Sequence, residues 1–238
     1  MVPISRTLLK VDLHTHTADD PEEPIQYTSC ELIDRAYHLG YDAISITNHN
    51  AISFTRYLQD YARERGIVLI PGVEVDIVGK HVLVVNAHGA ILGARTFDDF
   101  RRLRIPANLV VAPHPYFPGF ASLLWHMRKN MDVFDAIEFS WFYHSHINFN
   151  VFAIRAAARH GLPLVCTSDC HHLATFGAAY SLVESEKEPE AIIEAVRAGR
   201  LEIAANPLKL REFGKHGVEH ITDVTVGAIR RLLPGEGR

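Results

Sequence analysis

The chain has 238 residues, 47% of them apolar, and a formal net charge of −4. That length and apolar share allow one sizeable core, and a single α/β barrel commonly runs to this size. The mildly acidic balance, with no long basic run, argues against an extensive nucleic-acid surface, and no apolar stretch reaches membrane-spanning length. Cys30, Cys166 and Cys170 are scattered and odd in number, and no charged-then-apolar leader pattern opens the chain. A reducing cytoplasm is therefore the expected location. Histidine is the outlier, with 15 residues.

In chain order, Leu8-Leu9-Lys10-Val11 reads as a buried strand that ends at Asp12-Leu13-His14-Thr15-His16. Residues i and i+2 of an extended chain point the same way, so His14 and His16 present two imidazoles to one point, as a divalent metal requires. Asp19-Asp20-Pro21-Glu22-Glu23-Pro24 must be a loop. Thr28 or Ser29 caps a helix that carries Leu32, Ile33, Ala36 and Tyr37 on one face and stops at Gly40. A strand over 41–47 ends at Asn48-His49-Asn50, and a helix over about 53–65 is closed by Gly66. A third strand, 67–70, runs into Pro71-Gly72-Val73-Glu74, and a fourth, 81–86, opens on His81.

A short helix starts over 96–100, and a fifth strand, 109–112, ends at Pro113-His114-Pro115. Helical residues over 121–129 precede a sixth strand, 135–139, that contains Glu138. A helix over 148–159 precedes a seventh strand, 162–167, ending at Ser168-Asp169-Cys170-His171-His172. Strands and helices alternate without a linker or low-complexity segment, which predicts one parallel α/β domain.

His14, His16, His49, Glu74, His114, Asp169 and His171 all fall at or just past strand C-termini. In a closed parallel barrel those ends share one rim, where active sites are built. Singly, each has a bland explanation: a loop histidine, a surface acid, a rigid turn at His114, a helix cap at Asp169. Seven such coincidences on one rim are harder to accept. Mixed imidazole and carboxylate ligands suit Zn, Mn or Fe alike.

The motifs Asp12-Leu13-His14-Thr15-His16, Ile46-Thr47-Asn48-His49, Pro71-Gly72-Val73-Glu74, His81-Val82-Leu83, Pro113-His114-Pro115 and Ser168-Asp169-Cys170-His171 resemble, in order, those of the polymerase and histidinol phosphatase (PHP) superfamily of metal-dependent phosphoesterases. The resemblance implies a distorted seven-stranded (β/α) TIM-like barrel in a single domain, with its core over about 8–205 and a C-terminal extension over 206–238. It also implies two to three divalent transition metals. The first would be held by His14, His16, Glu74 and Asp169. The second would share Glu74 as a bridge and add His81 and His114. The third would take His49, His171 and an acid from the loop after His16, Asp20 being preferred to Asp19.

Three departures accompany the match, the first an acid loop shorter than usual, which leaves Asp19 and Asp20 competing for one role. Asn48 stands where the family has Asp, and the lost charge is expected to weaken the orientation of His49. His88 rivals His81 for the second metal, although His81 opens a strand as the family's residue does. The implied chemistry is hydrolysis of a phosphate ester, mono- or diester, by a metal-activated water, with no side-chain nucleophile required. The implied partner is a small phosphorylated substrate or nucleotide. An amidohydrolase-type barrel also begins with His-x-His, but it usually needs a lysine at the end of a middle strand, and none stands there. A non-catalytic metal-binding PHP domain is the remaining alternative. His144 and His146 are placed at the substrate mouth, and the aromatic stretches 116–120 and 141–148 either stack on a nucleobase or imidazole ring or simply cover the pocket.

Overall fold

The computed structural model describes residues 7–214. The C-terminal extension beyond 214 lies outside the described residues. Nine strands form one sheet: β1 (Thr7–Thr15), β2 (Ala43–Ile46), β3 (Val68–Asp76), β4 (His81–Val85), β5 (Leu109–Ala112), β6 (Ala136–Ser140), β7 (Leu164–Thr167), β8 (Ala179–Ser185) and β9 (Leu201–Ala205). Their spatial order is β7-β6-β5-β4-β3-β2-β1-β8-β9. The helices are α1 (Ser29–His38), α2 (Arg56–Glu64), α3 (Phe97–Leu103), α4 (Trp125–Lys129), α5 (Asn150–His160) and α6 (Pro189–Arg197). None among the described residues is long and apolar enough to cross a membrane.

The sheet curls until β7 meets β1. Thr15 bridges Cys170, with His16 N–H donating to Cys170 O at 3.1 Å. Ser181 Oγ ties β8 to both the N–H and the carbonyl of Cys166. The result is the nearly closed, TIM-like barrel that the resemblance implies. One face of the strands buries Leu83, Val85, Leu109, Val111, Ala136 and Val165 in one cluster with Ile192, Ile193 and Val196 of α6. Alternate residues on the same strands, such as Val82, Val84, Val110 and Ile137, join a second cluster with Phe97, Phe100, Ala153 and Ala157 from α3 and α5. This is the period-2 alternation of a sheet covered on both faces.

Strand direction departs from the all-parallel expectation at β8, which is antiparallel to both β1 and β9, and at β4. β4 runs antiparallel to both β3 and β5. Only Ile77-Val78-Gly79-Lys80 separates β3 from β4, too little chain for a parallel crossover. Val78 (φ 51°) and Gly79 (φ 72°) both adopt positive φ, and Lys80 N–H donates to Ile77 O at 3.0 Å, the geometry of a type I′ hairpin turn. His81 opens this reversed strand, so its position falls on the same rim as the C-termini of the parallel strands.

Local chemistry accounts for several boundaries. Thr28, not Ser29, caps α1, forming a reciprocal capping box with Glu31. The expected helix over 121–129 shortens to the five residues of α4, because Leu124 takes φ 48°. The third strand continues through Pro71 and Gly72 as far as Asp76, so Glu74 lies inside β3. At Gly72 a Cβ would collide with the Ser45 and Thr47 side chains of the adjoining β2. Gly72→Ala is therefore expected to destabilise the fold by about 1–3 kcal/mol through overpacking. Urea unfolding of wild type and variant checks this, and an unchanged midpoint would show that β2 gives way freely.

Candidate metal centre

Three carboxylates and six imidazoles converge on the rim, and Glu74 stands at their middle, buried to 1% exposure. Its two oxygens face different histidines. Oε2 lies 3.1 Å from His14 Nε2, 3.4 Å from His16 Nε2 and 3.2 Å from His49 Nε2. Oε1 lies 2.9 Å from His81 Nδ1 and 3.2 Å from His114 Nε2. Asp169 Oδ1 stands 3.4 Å from both His14 Nε2 and His16 Nε2.

The β1 bulge sets this up. Asp12 pairs with Ile44 and Thr15 with Ile46, three residues against two. His14 and His16 turn into the cluster, while Asp12 reaches β7: its Oδ1 accepts the N–H groups of His14 (3.3 Å) and Ser168 (3.2 Å). His114 (φ 28°) and Asp169 (φ 44°) hold left-handed backbone conformations that cost non-glycine residues energy, a strain that clusters at functional sites.

Charge balance across the cluster is reciprocal. Burial alone would raise the Glu74 pKa, yet His81, His14 and His49 hold it well below the ordinary carboxylate value. Burial alone would lower His14, yet Asp169, Glu74 and Glu138 raise it well above the usual imidazole value.

Three sets of ligand atoms are close enough to share an ion: His14, His16, Glu74 and Asp169; His49, Glu74 and His81; and His16, His49 and His171. His114 Nε2 lies 3.2 Å from Glu74 Oε1 but falls in none of the three sets, and His49 stands with His81 where His114 was expected. Buried His16 Nε2, His81 Nδ1 and Asp169 Oδ1 have no hydrogen-bond partner although a carboxylate or imidazole lies within 3.4 Å. Unpaired donors and acceptors of this kind, aimed at one another in a buried site, fit a divalent transition metal with nitrogen and oxygen ligands.

The acid loop differs from expectation. Asp20 lies behind the histidines: its Oδ2 lies 3.0 Å from His16 Nδ1 and 2.9 Å from His49 Nδ1, and accepts the His49 N–H. Its Oδ1 accepts the N–H groups of Glu22 and Glu23. With both oxygens engaged, Asp20 orients two imidazoles and stays out of the ligand sets. Asp19 accepts the Ser29 hydroxyl instead. Glu23 is the acid that meets His171, 3.1 Å from its Nε2; burial opposes its ionisation, but His171 pulls it down to about 2. No signal within the loop distinguishes Glu23 from its neighbours, because the choice depends on packing against β7.

Asn48 does not touch the His49 ring. Its side chain accepts Thr17 N–H at 2.8 Å and donates to Thr17 Oγ1 and Ser53 Oγ. The expected weakening of His49 therefore has no basis in contact, since Asp20 supplies the orientation. His88 precedes the short 3-10 turn Gly89–Gly93 and belongs to none of the ligand sets. His144 and His146 stack on each other at 5.3 Å near Phe213.

Comparison with known proteins agrees with this geometry. The "PHP-associated" family model matches residues 148–201. The PolC-type DNA polymerase III of Thermotoga maritima is 35% identical over 69 residues, 29% of this chain and 5% of the polymerase. A two-domain protein of Bacteroides vulgatus, containing a predicted PHP-like metal-dependent phosphoesterase, superposes with a TM-score of 0.67 at 21% identity, covering 85% of this chain and 66% of that one. The chain is thus similar to PHP proteins in a family-model match over part of its length, in a short stretch of sequence and in fold. It spans about a twentieth of the curated PolC relatives it matches and slightly under two thirds of the Bacteroides protein. A further fold match is the lesion-specific endonuclease PfuEndoQ of Pyrococcus furiosus, with a TM-score of 0.59 at 16% identity over 82% of this chain and 57% of that one.

Asp12 gives this barrel a pH signature. Burial pushes its carboxyl from 3.8 up to about 7, against the hydrogen bonds from Ser168 and His14. The folded state thus holds this proton to higher pH than the unfolded chain, so Asp12 withdraws stability as pH rises from about 4 to about 7. With chelator present, Asp12→Asn is expected to gain on wild type across that window by up to about 4 kcal/mol. Urea unfolding at a series of pH values measures the gain. A pH-independent difference would mean that Asp12 titrates normally.

Proposed function

We propose that the chain is a metal-dependent hydrolase of phosphate esters. The observation that carries the proposal is Glu74, whose two buried oxygens face separate groups of histidines as a bridging carboxylate's would. His14, His16 and Asp169 complete the first metal position, and His81 and His114 the second. His49, His171 and Glu23 supply a third, with Asp20 holding His16 and His49 from behind. Divalent metals bound there supply Lewis acidity, water activation and neutralisation of phosphate charge.

The protein's own groups determine what else the site can do. Cys170 is the thiol beside the cluster, and burial pushes it up to about 12, which leaves it protonated and unreactive at neutral pH. Its hydrogen bonds with Tyr27 and His172 O mark it as structural. Beside His114, Phe117, Phe142 and Phe149 border a small niche together with Ser140 and Asn150. Asn150 spends its amide on the Ser140 backbone, so the niche offers mainly aromatic surface to the organic part of a small ester.

Gently purified protein is expected to contain, or take up, two to three equivalents of Zn, Mn or Fe and to hydrolyse an aryl phosphate. Glu74→Gln should lower metal occupancy and cost more activity than the ~10–100-fold that supporting residues contribute. Elemental analysis with a screen of mono- and diesters, including an abasic-site DNA duplex of the kind bound by Endonuclease Q, checks both statements. Uptake of less than one equivalent would overturn the reading.

A further inference from the structure

Glu138, on β6, is fully buried directly behind the metal cluster and belongs to none of the ligand sets. Three donors converge on it. Oε1 lies 3.0 Å from His14 Nδ1 and accepts the Thr167 hydroxyl, while Oε2 accepts the backbone N–H of His114. His14 and His114 face different oxygens of Glu74, the first Oε2 and the second Oε1. Glu138 thus grips the ring of one and the backbone of the other, at the point where His114 holds φ 28°.

We propose that Glu138 is the positioning residue that keeps the proton of neutral His14 on Nδ1, turns Nε2 toward Glu74 and Asp169, and pins the strained His114 backbone, so that one buried carboxylate aligns ligands of two metal positions. This rests on the metal-site reading above. The chemistry is specific to a carboxylate. It is acceptor-only and offers about four lone-pair sites, enough for three donors. A glutamine of the same shape has one oxygen. Facing Oε1, its NH2 would donate to His14 Nδ1 and force the proton onto Nε2, where it blocks the metal. Facing Oε2, its NH2 would oppose the His114 N–H. Imidazole–carboxylate pairs of this kind fix the tautomer and orientation of metal-bound histidines.

The test compares wild type, Glu138→Gln and Glu138→Asp by zinc titration calorimetry, with thermal melts of the chelated proteins as the folding control. Long-range ¹⁵N–¹H spectra of the zinc-loaded proteins report the His14 tautomer. Wild type is expected to show His14 protonated on Nδ1 and bound through Nε2. Both variants should lose about 10–100-fold in zinc affinity while melting cooperatively, and Glu138→Gln should lose the Nδ1–H signal. Wild-type spectra with zinc on His14 Nδ1 overturn the proposal without need of any variant. So does wild-type affinity in a folded Glu138→Gln protein, which leaves the metal reading standing. Failure of wild type to bind zinc removes the metal reading, and the positioning role with it.

Discussion

The structure depends on keeping a carboxylate charged in the interior. Glu74 is almost wholly shielded from water, and an isolated ion there would be expelled or protonated. It persists because five imidazoles surround it, each contributing a nitrogen within 3.4 Å. The histidines are held in turn. Glu138 supports His14, and Asp20 supports His16 and His49. The rim is thus a layered polar network in which the inner acids face one another's histidines and the outer acids fix how those histidines point. Such a network is stable only when fully satisfied, so the unpaired atoms at its centre carry the functional meaning.

The barrel delivers these groups from distant parts of the sequence. β1 and the segment just after it bring one histidine each, β3 the central acid, β4 and the segments after β2 and β5 one histidine each, and the segment after β7 an acid and a histidine. Closure between β1 and β7 is made by side chains and isolated backbone bonds rather than by a full ladder. Asp12 is the most telling of these ties, because its carboxyl accepts from His14 in β1 and from Ser168 just past β7. It does so at an electrostatic cost, since burial without a cation partner raises its pKa.

What the sequence made legible follows from locality. Residues at strand ends can be placed from apolar runs and turn residues alone, so His14, His16, His49, Glu74, His114, Asp169 and His171 were identifiable as neighbours before any fold was known. The direction of β4 was also within reach, because four residues ending in Gly79-Lys80 suit a hairpin, but the alternation of strands and helices elsewhere favoured the parallel alternative. Asp20 stands behind His16 and His49, and Glu23 meets His171, because adjacent acids in a proline-bounded loop differ only in what the rest of the barrel presents to them. Glu138 was visible as an acid at the end of a strand. Its work is done through His14, 124 residues earlier, a relation that spacing cannot reveal.

The β3–β4 hairpin also bears on how the site is assembled. Glu74 and His81 meet across a tight turn, so bringing them together closes only a short loop and costs little chain entropy. The bond from Ser168 to Asp12 joins residues 156 apart and requires nearly the whole barrel to be in place. The two halves of the centre therefore stand at opposite ends of the contact-order scale. One is a local element that a short stretch of chain can specify, and the other exists only as a property of the closed barrel.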